Sequence, residues 1–243
     1  HKHRRRQRQM CIRDRARVVM DALSRSGIPT IPHYMGLLNC SGVKDIIAWC
    51  QVIAGGSHQD SAMYRIIYNA LGKRIAYEIF SKFKRNDRNT RHDLIRNDKS
   101  IRHKYPKIDT IISTIIKLQD AAKKKSTGEM TWMIAELLNK LKPHADNYTM
   151  DDQYQILNVG DFLKRSQDFT KRNRKNDNLR SFNKYLEAIM RSGGLPGLKP
   201  HSYREQDGVI VNTVHGVKGA EFPIVFIPFL RSASFPLNFR SIK

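Results

Sequence analysis

Apolar residues recur at helical spacing over much of this chain. Val43, Ile46, Ile47, Cys50 and Ile53 fall on one face, and Gly55-Gly56 follows where a left-handed residue is expected to end a helix. Cys50 on that face is read as a buried small hydrophobe. Asp60 is expected to N-cap a second helix through Ala70, with Met63, Ile66, Ile67 and Ala70 turned inward. A third run begins at Asp109 and carries Ile111, Ile112, Ile115, Ile116 and Leu118. Ser126-Thr127-Gly128-Glu129 has the form of a capping box; the helix it opens bears Met130, Met133, Ile134, Leu137, Leu138 and Leu141 before Pro143 stops it. Asp177 is expected to start another, buried through Leu179, Phe182, Leu186, Ile189 and Met190 and ended by Gly193-Gly194. The region 75–206 therefore reads as helical throughout, and its apolar stripes are packing faces without a chemical motif.

The period changes near the end of the chain. Residues 209–230, VIVNTVHGVKGAEFPIVFIPFL, read as a strand, a polar elbow and a second strand. Ile224, Val225, Phe226 and Ile227 form the continuous apolar run of a parallel strand covered on both faces. The elbow gathers Thr213, His215, Lys218 and Glu221 with Gly216 and Gly219, and such polar groups at a sheet's end lie where α/β proteins bind ligands. Hydroxyl and imidazole donors suit phosphate oxygens, and an ionised carboxylate accepts from ribose hydroxyls. Glycine lets backbone approach a ligand closely.

The string T-x-H-x-x-K-G-x-E-F-P followed by an apolar strand resembles motif V of the UvrD/Rep family of superfamily 1 DNA helicases. Thr213, His215, Lys218, Gly219, Glu221 and Phe222 fill the matching places, with Ala220 where leucine is usual. A second stretch, 27–69, resembles the segment after motif IV of the same helicases. Gly27, Ile28 and Pro29 match its first block, Val43, Lys44, Asp45, Ala48 and Trp49 its second, and Asp60, Arg65, Ile66 and Asn69 its third. Gly42 replaces a common glutamate and Gln51 a common arginine. Where the family continues into a proline and a G-I-G turn that approaches duplex DNA, this chain has Gly72-Lys73-Arg74-Ile75, so Lys73 and Arg74 would make the contact electrostatically.

The resemblance implies an α/β fold: a RecA-like (P-loop NTPase-type) 2A domain with parallel strands, interrupted by a mostly α-helical 2B insertion. Residues 16–74 would begin 2A, 75–206 form 2B, and 207–243 resume 2A with motif V. It implies that Thr213 and His215 touch the DNA backbone, that Glu221 and Gly219 bind ATP, and that Lys218 has a role it does not specify. The implied activity is that of an ATP-dependent 3′-to-5′ DNA helicase translocating on single strands and unwinding duplex in repair or replication, with ATP and Mg2+ as cofactors. No G-x-x-x-x-G-K-[ST] phosphate loop (Walker A), paired acidic magnesium motif (Walker B) or arginine-bearing motif VI occurs in these residues. The Mg2+ ligands are thus expected on an N-terminal RecA-like domain of the same protein, and the chain is expected to be a fragment without a complete catalytic set, inactive alone. Its expected partners are that domain and single-stranded and duplex DNA.

Composition agrees with a polyanion partner. The net charge is +22, and 40% of the 243 residues are hydrophobic, enough for a core. Residues 82–107 hold ten Lys or Arg against three Asp, and 164–184 hold eight against two. Phe83 and Tyr105, interleaved with the first group, read as local packing. The longest apolar runs fall far short of a membrane span of about 20 residues. Residues 1–15, HKHRRRQRQMCIRDR, have no structural period and are expected to be a non-native or disordered leader; without them the charge is still strongly positive. Cys11, Cys40 and Cys50 have neither zinc nor disulfide spacing, and a cytoplasmic setting follows by default. Two alternatives remain: a non-enzymatic basic nucleic-acid-binding protein, and a subunit of a recombination helicase-nuclease.

Overall fold

The computed structural model describes residues 16–32 except 17, 21 and 24, then 36–83, 90–141, 150–192, 208–212, 217 and 219–229. Strand β1 (Thr30–Pro32) and a 3₁₀ turn (Leu37–Asn39) lead into α1 (Ser41–Ala54), α2 (Gln59–Leu71), α3 (Lys73–Lys82), α4 (Arg91–Asn97) and α5 (Lys99–Lys104). Helices α6 (Pro106–Ala121), α7 (Thr127–Leu137), α8 (Met150–Arg172) and α9 (Leu179–Arg191) follow, and then strand β2 (Val209–Val211).

Helix α1 is the hub. It packs against α2, α6, α7, α8 and α9, and is buried on nearly every side, from Gly42 to Ile53. A helix apolar all round must lie inside a core. The cluster it centres runs without a break from Leu37 to Leu186, so helices on both sides of residue 75 share one interior. Phe162, Phe169, Phe182 and Tyr185 form a ladder of ring contacts joining α8 to α9, with Phe169 and Phe182 at 5.1 Å. Phe162 and Phe182, which are fully buried, each contribute about 1.5–3 kcal/mol by burial.

Local chemistry sets the helix ends. Gly55 (φ 70°) closes α1 and Gly72 (φ 84°) separates α2 from α3, both in a backbone region that other residues rarely adopt. The capping box at Ser126 forms as its spacing predicts: Ser126 Oγ accepts from Glu129 N at 3.3 Å and Glu129 Oε2 from Ser126 N at 2.8 Å. Two expected caps are displaced. Helix α2 starts from His58, and Asp60 instead accepts from the His92 amide of α4 at 3.2 Å. Helix α9 is capped by Asn178, whose side chain accepts from Ser181 N at 2.9 Å, which releases Asp177 for another task. Helix α6 starts earlier than Asp109, at Pro106, where proline's missing N–H costs nothing. Helix α7 stops at Leu137 rather than continuing to Leu141.

The expected RecA-like α/β core is not what these residues form. The described chain is overwhelmingly helical, and its strands are two three-residue segments, β1 and β2, paired in parallel with Thr30 opposite Val209, Ile31 opposite Ile210 and Pro32 opposite Val211. So short a ladder cannot support a sheet core. The expected second strand is also corrected. Residues 224–227 are irregular, with Ile224 74% and Phe226 86% exposed. An apolar run becomes a strand only where a neighbour takes its backbone hydrogen bonds, and the described residues place none beside it.

Candidate functional site

The elbow is reached through the ladder. Val209 N donates to Pro29 O at 2.9 Å, and the register continues through Val211, so the G-I-P segment and the strand before the elbow lie side by side although about 180 residues separate them. After β2, the turn at 217–220 is closed by Ala220 N donating to Val217 O at 2.9 Å, with Gly219 at φ 80°. Glu221 follows directly and is exposed, as is Gly219. Thr213, His215, Gly216 and Lys218 lie outside the described residues. Of the elbow's expected ligand-binding groups, the structure therefore shows a left-handed glycine and, two residues on, a carboxylate open to solvent. An exposed carboxylate on such a turn fits a hydroxyl-rich ligand such as a ribose.

Lys73 and Arg74 occupy the first turn of α3, directly after Gly72, and both are exposed. Helix α3 has no side-chain cap, so amides and cations face solvent together at its start. Among the described residues, no hydrogen bond or ion pair joins Lys73 or Arg74 to the elbow. Nor does any group of three His, Cys, Asp or Glu side chains come close enough to hold a metal ion.

The motif residues in the first half turn out to hold the body together. Asp45 Oδ1 accepts from Arg65 Nε at 2.7 Å and from Asn69 Nδ2 at 2.8 Å, while Oδ2 pairs with Lys140 Nζ at 3.1 Å. Arg65 also donates to the Ser41 carbonyl at 3.3 Å. Asp45 is buried, so its charge is compensated by a guanidinium and an amide from α2 and an ammonium from the turn after α7. The spacing of Asp45, Arg65 and Asn69 follows from this clamp between α1, α2 and the turn after α7. Lys140 could not be read as its fourth member, because it lies far along the chain in a turn.

Gly42 explains its own departure from the family pattern. A Cβ there would stand 2.9 Å from Val159 Cγ2 of α8, which leaves no space for glutamate. Gln155 of α8 takes over the polar work: its Oε1 accepts from Gly42 N at 3.1 Å and from the Cys40 thiol at 2.8 Å. Cys50 is fully buried, and burial pushes its thiol up to about 12, so it stays protonated and packs as a hydrophobe. His92 is also buried, with Nδ1 2.8 Å from Gln59 Nε2. Burial holds its imidazole below the usual range, against the opposing charge of Asp93.

A helical body and a short parallel ladder thus occur in one chain, with the motif V-like segment following the ladder in sequence. A profile of the UvrD-like helicase C-terminal domain matches residues 10–243, nearly the full length, and the chain belongs to that family. No curated protein matches the chain. Among the described residues no helix is long and apolar enough to cross a membrane.

Proposed function

We propose that this chain serves as the DNA-contacting and nucleotide-sensing part of an ATP-dependent helicase that moves 3′-to-5′ along single-stranded DNA. The observation that carries the proposal is the parallel pairing of Thr30–Pro32 with Val209–Val211, which brings together the two sequence blocks that resemble the helicases. Thr213 and His215 donate to the phosphodiester backbone, Glu221 accepts from the ribose of ATP, and Gly219 lets the backbone close on the nucleotide. Lys73 and Arg74 hold duplex phosphates ahead of the elbow. ATP supplies the driving force when bound with Mg2+ against the rest of the protein, whose residues would supply the phosphate loop and metal ligands. Coupling follows from distance along the chain: the DNA donors and the ribose acceptor are separated by only a few residues, so closure around one displaces the other.

In the complete protein, His215→Ala is expected to weaken single-strand affinity and to abolish most of the stimulation of ATP turnover by DNA. Steady-state turnover with and without a single-stranded oligonucleotide reads both effects. Undiminished stimulation in that variant would count against the elbow as the coupling element. The chain by itself, having no Walker A loop in its sequence, is expected to show no ATP turnover.

A further inference from the structure

We propose that the turn joining α8 to α9 is a second, sequence-independent binding surface for the phosphodiester backbone of nucleic acid. The proposal rests on the reading above only in taking nucleic acid as the partner; the site is separate from the elbow.

Lys171, Arg172, Arg174, Lys175, Arg180 and Lys184 are all exposed, and none makes an ion pair among the described residues. In the other basic window two cations are neutralised, Arg102 by Asp109 and Lys104 by Glu78 at 2.9 Å, and in this one only Arg165, by Asp161, among the described residues. Part of the cluster has an ordinary explanation, since Lys171 and Arg172 sit in the last turn of α8, where the helix dipole favours cations. Arg180 does not. It lies in the first turn of α9, which has no acidic residue, at the end where the dipole opposes a positive charge. Arg174 and Lys175 between the helices add repulsion without a compensating acid.

The one acid inside the turn is turned away from this surface. Asp177 accepts from the Thr127 amide at 3.2 Å and from Thr170 Oγ1 at 3.2 Å, capping the start of α7 from another part of the chain. Thr170 Oγ1 in turn accepts from Gly128 N at 3.1 Å, and a Cβ on Gly128 would stand 3.2 Å from Gln167 Cα, so α7 and α8 meet closely there. The turn is further closed by Asn176 N donating to Asn173 O at 2.8 Å. These bonds fix the turn's backbone with its cations outward and its carboxylate inward. Folding gains nothing from the outward charges of Arg174, Lys175 and Arg180, whereas binding to a nucleic-acid backbone does, through release of its counterions.

The test compares two double variants of the complete protein, each removing two charges: Lys175→Gln/Arg180→Gln at the turn, and Lys117→Gln/Lys124→Gln on exposed positions elsewhere. Binding to a mixed-sequence single-stranded oligonucleotide is measured without nucleotide across a salt series. The turn variant is expected to lose about tenfold in affinity and to lower the slope of log K against log salt by about two, equally for unrelated sequences, while the control stays within about twofold. Equal losses in both variants would reduce the effect to net charge and overturn the proposal. So would an unchanged slope, or a loss confined to anionic phospholipid vesicles with DNA binding intact. If the complete protein binds no DNA at all, the helicase reading fails with it; if it binds and the turn variant matches the control, this surface alone fails. Should the double variant unfold, Lys175→Gln alone, in an exposed turn position, is expected to lower the slope by about one.

Discussion

The helical body and the elbow segment use similar amino acids to opposite ends. Phe162 in α8 is 1% exposed and Phe226 beyond the elbow is 86% exposed; Asp45 is enclosed by three donors, whereas Glu221 faces solvent. The body satisfies its own side chains. The elbow segment leaves a carboxylate and an apolar run in solvent. The contrast separates motif residues that hold the fold from motif residues left open to solvent, and both kinds occur within the resemblance to the helicases.

Substitutions in the body are expected to cost far more than those in the elbow segment. Phe162→Ala is expected to cost about 3–5 kcal/mol, because the ring's neighbours on α9 cannot collapse into the space. Denaturant unfolding measures it, and a cost below about 1 kcal/mol would mean the body is less tightly packed than described. Asp45→Ala comes next, at about 2–3 kcal/mol: it leaves Arg65 and Lys140 facing each other without their acid, reduced from a fully buried pair because both keep some solvent contact. Gly42→Ala is expected to cost about 1–3 kcal/mol through the close approach of Val159. If it were neutral, α8 would be free to move away from α1.

His92 sharpens the comparison by pH. Its imidazole is held below the usual 6.5 by burial, so the unfolded chain takes up a proton at a higher pH than the folded one. This contribution to stability is therefore present above about 6.5 and is lost as pH falls toward the lower folded value. His92→Gln should flatten the decline in the unfolding midpoint between pH 7.5 and 5.5; an identical decline in the variant would assign it to other groups. Smallest of all, Phe226→Ala should leave stability within about 0.5 kcal/mol, since the ring is in water already.

Most helices of the body were legible in the sequence, because their information is local. The stripe from Val43 to Ile53, the glycine stop after it and the box at Ser126 each need only a few neighbouring residues. Helix α8 was harder to read as one element: Gln155, Asn158 and Ser166 interrupt its apolar face, and their partners are at Gly42, in the helix's own backbone and at Thr131. The caps at Asp60 and Asp177 were misplaced for the same reason, since each carboxylate bonds an amide many residues away. Residues 224–227 show a stricter limit. Apolarity records that a segment seeks cover, not that the cover is present, and the inferred sheet rested on that missing half. At the elbow, the pattern of residue types was legible, along with the glycine that turns it, but not which groups the fold would aim at a ligand.

The parallel register of the two short strands also constrains the order of assembly. Joining Thr30 to Val209 in an unstructured chain would mean closing a loop of about 180 residues for a handful of hydrogen bonds, a poor exchange of entropy for enthalpy. Once the intervening helices have condensed, their two ends are held as neighbours and the same ladder forms at little further cost. The ladder is thus expected to become ordered last, and to be first to come undone when the interior beneath it loosens.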